Sequence, residues 1–290
     1  YMQLKQDVDG HDLDPTDPDN WTVPTPIYRN DASLLNGNKQ LAATASGGVG
    51  MSLDMTYFQD ADGRSYYAWQ QLGATYIAKM DPKDPAHVTS SPVRIVTPEY
   101  AWNAAIAEGP NVTLRDGKLY LMFSGSGVGK TYTTGLAVAD AAGSDLTDPA
   151  SWTALNYPIQ KSGPFNGEMQ LGTGHGMWSE DEDGNQVYVF HAYATKNLGS
   201  VNATGRDMFV RRVHWAADGM PVFDMSSSEE LASKTVSVTV KVADDTVTVD
   251  KTDLSKALRE KLSQEAFLTP PQVARKQVSK LDGTITAEQY

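Results

Sequence analysis

The sequence predicts an all-β protein built as a β-propeller, and three observations point there. One pattern recurs three times: a short strand, an Asp-Gly turn, an aromatic-rich strand, a third strand and a polar Asp/Pro connector. No long amphipathic helical stretch separates the strands, so the crossovers of a parallel sheet have no material. A polar residue, Asp54, Glu108 or His175, stands at the start of each unit's first strand. A β-sandwich accounts for the hairpins but not for that recurrence. In a propeller those starts converge on one end of the central channel, which sets a carboxylate pair against a common pocket.

Residues 1–5 read as a strand remnant. The stretch Asp14-Pro15-Thr16-Asp17-Pro18-Asp19-Asn20-Trp21 follows as a turn-rich connector. Residues 30–50 are small, polar and broken by Gly37, Gly47 and Gly48, which predicts a loop. The first hairpin pairs residues 53–58 with 65–69 across Asp60-Ala61-Asp62-Gly63, and residues 75–78 add a third strand. The second pairs 111–114 with 119–123 across Asp116-Gly117, with 132–139 as the next strand. It closes on Asp148-Pro149-Ala150-Ser151-Trp152, an echo of Asp17-Pro18-Asp19-Asn20-Trp21. The third turns at Asp181-Glu182-Asp183-Gly184 into the aromatic run 187–193, then reaches 208–215.

Past residue 225 the character changes. Val alternates with Ser, Thr and Lys over 235–242, a half-buried strand pattern, and Val247 and Val249 form a partner. Residues 253–262 read as a helix with Leu254, Leu258 and Leu262 on one stripe and Thr252 as its cap. The division expected is a partial propeller at 1–225 and, at 226–290, a linker with an accessory β-rich and helical module or tail.

Composition narrows the function. The 290 residues carry a net charge of -12 with only 24 basic residues, which argues against nucleic acid as a partner because phosphate contacts need clustered Lys and Arg. Cysteine is absent, so thiol nucleophiles, disulfides and Cys-ligated zinc are excluded. No apolar run reaches the length of a membrane span.

Glycosidic hydrolysis needs one protonated carboxyl near the leaving oxygen and one ionised carboxylate to activate water or attack. Glu108, fixed ahead of Gly109-Pro110, is the candidate acid; the plainer reading is a surface Glu before a hairpin. Asp54, one unit earlier, is placed to supply the neighbouring charge that keeps such an acid protonated, or else caps a strand. His175 lies between Gly174 and Gly176, where it either lines the channel as a metal or water ligand or makes a structural hydrogen bond. No metal cofactor is required by this chemistry; the pattern admits a hard cation held by His175 plus waters. Trp102 and Trp178 lie near strand starts, where they face sugar or pack. Arg206 pairs with a carboxylate or with sugar hydroxyls.

Together these pieces resemble glycoside hydrolase family 43, the five-bladed propellers related to arabinanases, β-xylosidases and α-L-arabinofuranosidases. The resemblance spans roughly residues 1–224. It rests on Ser52-Leu53-Asp54 with Asp60-Ala61-Asp62-Gly63, on Ala107-Glu108-Gly109-Pro110 with Asp116-Gly117, on Gly172-Thr173-Gly174-His175-Gly176, and on His214-Trp215-Ala216-Ala217-Asp218-Gly219. It implies an inverting hydrolase in which Glu108 is the general acid, Asp54 orients it and raises its pKa, and His175 sits near the channel as a calcium or water ligand, with a structural Ca2+ beside it. It also implies a general-base Asp in a first blade, which this sequence lacks upstream of its matches. The expectation is therefore a chain missing the first blade and part of the second. The implied substrate is an arabinose- or xylose-containing plant polysaccharide. An arabinofuranosidase is preferred over a β-xylosidase, and a propeller that binds sugar without cleaving it is the non-enzymatic rival. A polymeric substrate and an appended module suggest an extracellular or cell-surface bacterial protein.

Overall fold

The computed structural model describes residues 1–35, 52–194 and 205–226, and beyond them only short strands at 235–236, 239–243, 246–250 and 285–286. The chain divides into two compact units, Tyr1–Val210 and Arg211–Tyr290. Within the first two sheets every strand pairing is antiparallel. The first sheet runs β1 (Ser52–Gln59), β2 (Ser65–Gln71), β3 (Ala74–Asp81), β4 (Asp84–Val88), and β5 (Val93–Val96) adds to β3. The second runs β6 (Ala107–Arg115), β7 (Lys118–Gly125), β8 (Thr133–Asp140), β9 (Thr153–Ala154). The third runs β10 (Gly163–Phe165), β11 (Glu168–Glu180), β12 (Gln186–Tyr193), β13 (Asp207–Arg212).

The expected hairpins form because their turns are chemically fixed. Asp116 and Gly117 both take positive φ, 47° and 76°, as a two-residue turn matching the strand twist requires. The Asp-x-Asp-Gly turns work differently. Asp60 Oδ1 accepts the N–H groups of Asp62 and Arg64 at 3.0 and 2.9 Å. Asp181 Oδ1 does the same for Asp183 and Asn185, and Asp7 Oδ1 for Asp9 and His11. In each case one carboxylate satisfies the backbone donors that the bend would strand.

The two Asp-Pro-x-x-Trp connectors are one structure used twice. Asp17 and Asp148 cap short 3-10 turns, Pro18–Asn20 and Pro149–Ser151, by accepting from the N–H two residues on. Each tryptophan then returns its indole N–H to the carbonyl six residues back, Trp21 to Pro15 at 3.0 Å and Trp152 to Leu146 at 2.9 Å. Trp152 joins the main core, where Phe58, Tyr66 and Ile77 of the first sheet meet Leu119, Leu121 and Phe123 of the second. The other face of the first sheet buries Tyr67, Trp69 and Met80 with Leu35 and Ile27. Every residue of β2 is buried, the mark of a strand covered on both faces.

The expected opening strand is not regular. Residues 1–13 make only isolated bridges, Leu4 with Trp21 and Gln6 with Asp12; Lys5 donates to the Asn20 carbonyl and Gln3 accepts from Thr22, but the Asp7 turn then folds the segment back on itself. In the second unit, β14 (His214–Trp215) and β15 (Pro221–Val222) close the Asp218-Gly219 turn. The alternating Val stretch gives β16 (Thr235–Val236) and β17 (Thr239–Ala243). β17 pairs with β18 (Thr246–Asp250), and β16 with β19 (Ile285–Thr286). The helix expected at 253–262 and most of the loop expected at 30–50 lie outside the described residues. No helix among the described residues is long and apolar enough to cross a membrane.

Candidate active site

Asp54, Glu108 and His175 sit on β1, β6 and β11, the first or second strand of each sheet, and the same local device aims all three. Pairing slips between Leu53 and Thr56 on β1, between Glu108 and Asn111 on β6, and between Gly174 and Met177 on β11. Within or beside each bulge a residue takes positive φ: Asp54 at 57°, Gly109 at 60°, His175 at 51°. A bulge releases a residue from the ladder and re-aims its side chain, and a non-glycine left-handed residue is held only where its surroundings require it. The sequence marked these positions as strand starts; the strands in fact extend past them.

The three positions are linked, Asp54 to His175 directly and Glu108 through Gly109 and Tyr132. Gly109 N–H donates to Asp54 Oδ2 at 3.2 Å, and His175 Nε2 lies 3.6 Å from Asp54 Oδ1. Tyr132, just ahead of β8, donates its hydroxyl to Glu108 Oε1 at 2.6 Å and stands 3.2 Å from His175 Nδ1. The His175 backbone N–H donates to Ser124 Oγ at 2.7 Å, which pins β11 against β7. Gly109 is needed as a glycine twice over: its φ is positive, and a Cβ there would sit 3.3 Å from the His175 ring. Burial, then the negative charge of Glu108 and its hydrogen bond, push the Tyr132 phenol far above its ordinary range.

His191 on β12 completes the cluster. Its ring stacks on Tyr132 at 5.5 Å between centroids, nearly parallel, and on His175 at 6.1 Å. Burial, with the positive charge of Arg206 beside it, lowers its pKa to about 4. Arg206 Nη1 therefore donates to His191 Nε2, at 2.9 Å, as to a neutral imidazole. A cavity of ≈ 610 Å³ opens next to these groups, lined by His175, Met177, His191, Arg206, Asp207 and Met208. Arg206 thus lies at the site, placed against a histidine that the sequence reading did not single out.

The two tryptophans are a correction. Trp178 is 9 % exposed, pairs with Tyr188 and donates its indole N–H to the Tyr120 carbonyl at 3.1 Å. It is a wedge between the second and third sheets. Trp102 stacks on Phe123 and Tyr100 and donates to the Asn156 carbonyl. Its ring also fills the space that a side chain at Gly125 or Gly135 would need. Neither lines the cavity beside His175. Sequence reasoning in turn missed Tyr132, Ser124 and His191, because each is an ordinary strand residue until the sheets are assembled.

Beside the His175 ring stand the Asp54 carboxylate and the Tyr132 hydroxyl, so a calcium ion there, which takes six to eight oxygens, would draw most of its ligands from water. Among the described residues, the grouping of three possible metal ligands is Asp7, Asp9 and His11, exposed on the first Asp-x-Asp-Gly turn, whose Asp7 oxygen already serves that turn.

Consecutive antiparallel sheets of four or five strands, with polar side chains gathered from the bulged strands of all three, define an all-β protein of the propeller class. The profile of glycosyl hydrolases family 43 matches residues 38–221, and the chain belongs to that family. It is 32 % identical over 185 residues to an extracellular exo-α-(1→5)-L-arabinofuranosidase of Streptomyces avermitilis, covering 59 % of this chain and 37 % of that protein. It is 31 % identical over 186 residues to α-L-arabinofuranosidase 43 of Humicola insolens, with the same coverage of both chains. The chain therefore spans a little over a third of these relatives' length. Among solved structures, an α-L-arabinofuranosidase from Lactobacillus brevis superposes with a TM-score of 0.58 at 26 % identity, covering 76 % of this chain and 68 % of that one.

Proposed function

We propose that this chain carries the acid half of an inverting glycoside hydrolase acting on α-L-arabinofuranosyl linkages of plant arabinan or arabinoxylan. Glu108 protonates the leaving oxygen, and Asp54 holds the acid's strand and places a negative charge beside it. The observation that supports this reading is the Gly109 N–H bond to Asp54 Oδ2. It ties the residue after the acid to the second carboxylate, so neither can drift without the other. Arg206 and His175, on the wall of the adjoining cavity, present a cation and an imidazole to sugar hydroxyls.

The carboxylate that activates water is not among the residues gathered here, and the five-bladed closure that would bring it belongs to the family resemblance. The relatives named as arabinofuranosidases favour the arabinoside over the xyloside. Two of the relatives are named as extracellular, and we place this protein outside the cell on that support.

Hydrolysis of 4-nitrophenyl α-L-arabinofuranoside and β-D-xyloside by the protein, with Glu108→Gln as control, tests the reading. Loss of the acid is expected to slow arabinoside cleavage by about 10²–10⁴-fold. Sugar binding without turnover in the unaltered protein would favour the non-enzymatic propeller instead.

A further inference from the structure

Glu108 has two carboxylate oxygens, and only one can carry the proton that goes to the leaving group. Oε1 is already engaged: the Tyr132 hydroxyl lies 2.6 Å from it, a charge-assisted distance. Tyr132 has no freedom to turn elsewhere. Its ring is buried at 0 % exposure. A Cβ at Gly174 would lie 2.5 Å from one edge of the ring, and the His191 imidazole lies flat against it at an interplanar angle of 4°. Arg206 holds that imidazole in turn. The remaining lone pairs of the hydroxyl face His175 Nδ1 at 3.2 Å and Ser124.

We propose that Tyr132 is a positioning residue for Glu108, its O–H occupying Oε1 so that the transferable proton is carried on Oε2. The inference rests on Glu108 being the acid. In the reaction, the proton on Oε2 passes to the glycosidic oxygen as that bond breaks, and the Glu108 carboxylate left behind keeps the Tyr132 donor it already had. The hydroxyl spans the change without moving, which is the value of a preorganised donor. Burial and the nearby charges of Glu108 and Asp54 keep the phenol protonated throughout. The ionisable groups facing it are Glu108 from β6, Asp54 from β1, His175 from β11, and His191 from β12 with Arg206 behind it.

The test reads the Glu108 carboxyl directly, by carbon NMR of the 13C-glutamate-labelled chain across pH, with Glu108→Gln to assign the resonance. Removing a donor from a carboxylate disfavours its charged form, so Tyr132→Phe should move the Glu108 titration to higher pH by about one unit, a tenfold change in proton affinity. Should Tyr132→Phe not fold, 3,5-difluorotyrosine at position 132, a stronger donor of the same shape, should move it lower. Tyr188→Phe removes another buried hydroxyl, bonded to Thr134 Oγ1 at 2.6 Å, and should leave the resonance in place. An unmoved titration in the Tyr132 variants, or an equal shift in Tyr188→Phe, overturns the proposal. None of these spectra depends on turnover. Failure of the hydrolase reading, seen as arabinoside cleavage untouched by Glu108→Gln, is thus separate from failure of the hydrogen bond.

Discussion

His175 Nε2 stands 3.6 Å from Asp54 Oδ1, joining a strand of the third sheet to a strand of the first past the one that carries Glu108. Three strands can bring their side chains this close only where they converge, and the bulges aim the side chains at the convergence.

Asp54→Asn separates charge from geometry at that point. The amide oxygen still accepts the Gly109 N–H, and asparagine tolerates the left-handed backbone that Asp54 holds at φ 57°. The urea midpoint should then correspond to a stability change within about 0.5 kcal/mol, while arabinoside turnover falls about 10²-fold. Turnover that survives the substitution would remove Asp54 from the chemistry.

His191 makes stability depend on pH. Its pKa falls from the ordinary 6.5 to about 4 in the folded chain, so between those values the unfolded chain binds the extra proton and the folded chain does not. Its neutral form therefore favours folding fully above pH 6.5, and that stability is lost as the pH falls from 6.5 toward 4. His191→Phe keeps the stack on Tyr132 and should flatten the melting-temperature profile across this window. A profile as steep as that of the unaltered chain would show the dependence to lie elsewhere.

Two carboxylates with the same turn geometry should differ in worth. Asp60 is 4 % exposed and, besides its turn, accepts from Arg64 Nε at 2.6 Å and the Tyr66 hydroxyl at 3.1 Å. Asp181 holds its turn in a more open position. Asp60→Ala should cost about 2–3 kcal/mol in urea unfolding, because besides the turn it takes away the buried acceptor of the Tyr66 hydroxyl and of Arg64 Nε, while Arg64 keeps Asp62 and the Ser144 carbonyl. Asp181→Ala should cost about 1 kcal/mol, as loss of the turn and Asn185 bonds at a half-buried site does. Equal losses would mean that the turn, and not the buried Tyr66 and Arg64 bonds, sets the cost.

The hairpins were legible because their turns are local. Asp116-Gly117 and the Asp-x-Asp-Gly segments state their geometry within four residues, and the aromatic runs beside them state which strands are buried. Asp54, Glu108 and His175 were legible by recurrence, being the polar residues at matching places in three units. Tyr132 was not, since Thr131-Tyr132-Thr133 reads as any strand and its partners lie 24 and 43 residues away along the chain. The tryptophans misled for a related reason. Proximity to a strand start says nothing of which face a side chain takes, and Trp178 shares its face with Tyr188, toward the second sheet. The opening segment misled because its five residues bond to 20–25 only through isolated bridges before the Asp7 turn folds the chain back, too short a match for a continuous strand.

Asp54 and His175 each occupy a bulge, so the side chains proposed to act on sugar at these two places are uncoupled from the repeating hydrogen bonds of the scaffold. A substitution there that tolerates the left-handed backbone should leave the surrounding register in place. The frame is in that sense a socket, and new chemistries can be tried in it one residue at a time without asking the sheets to refold.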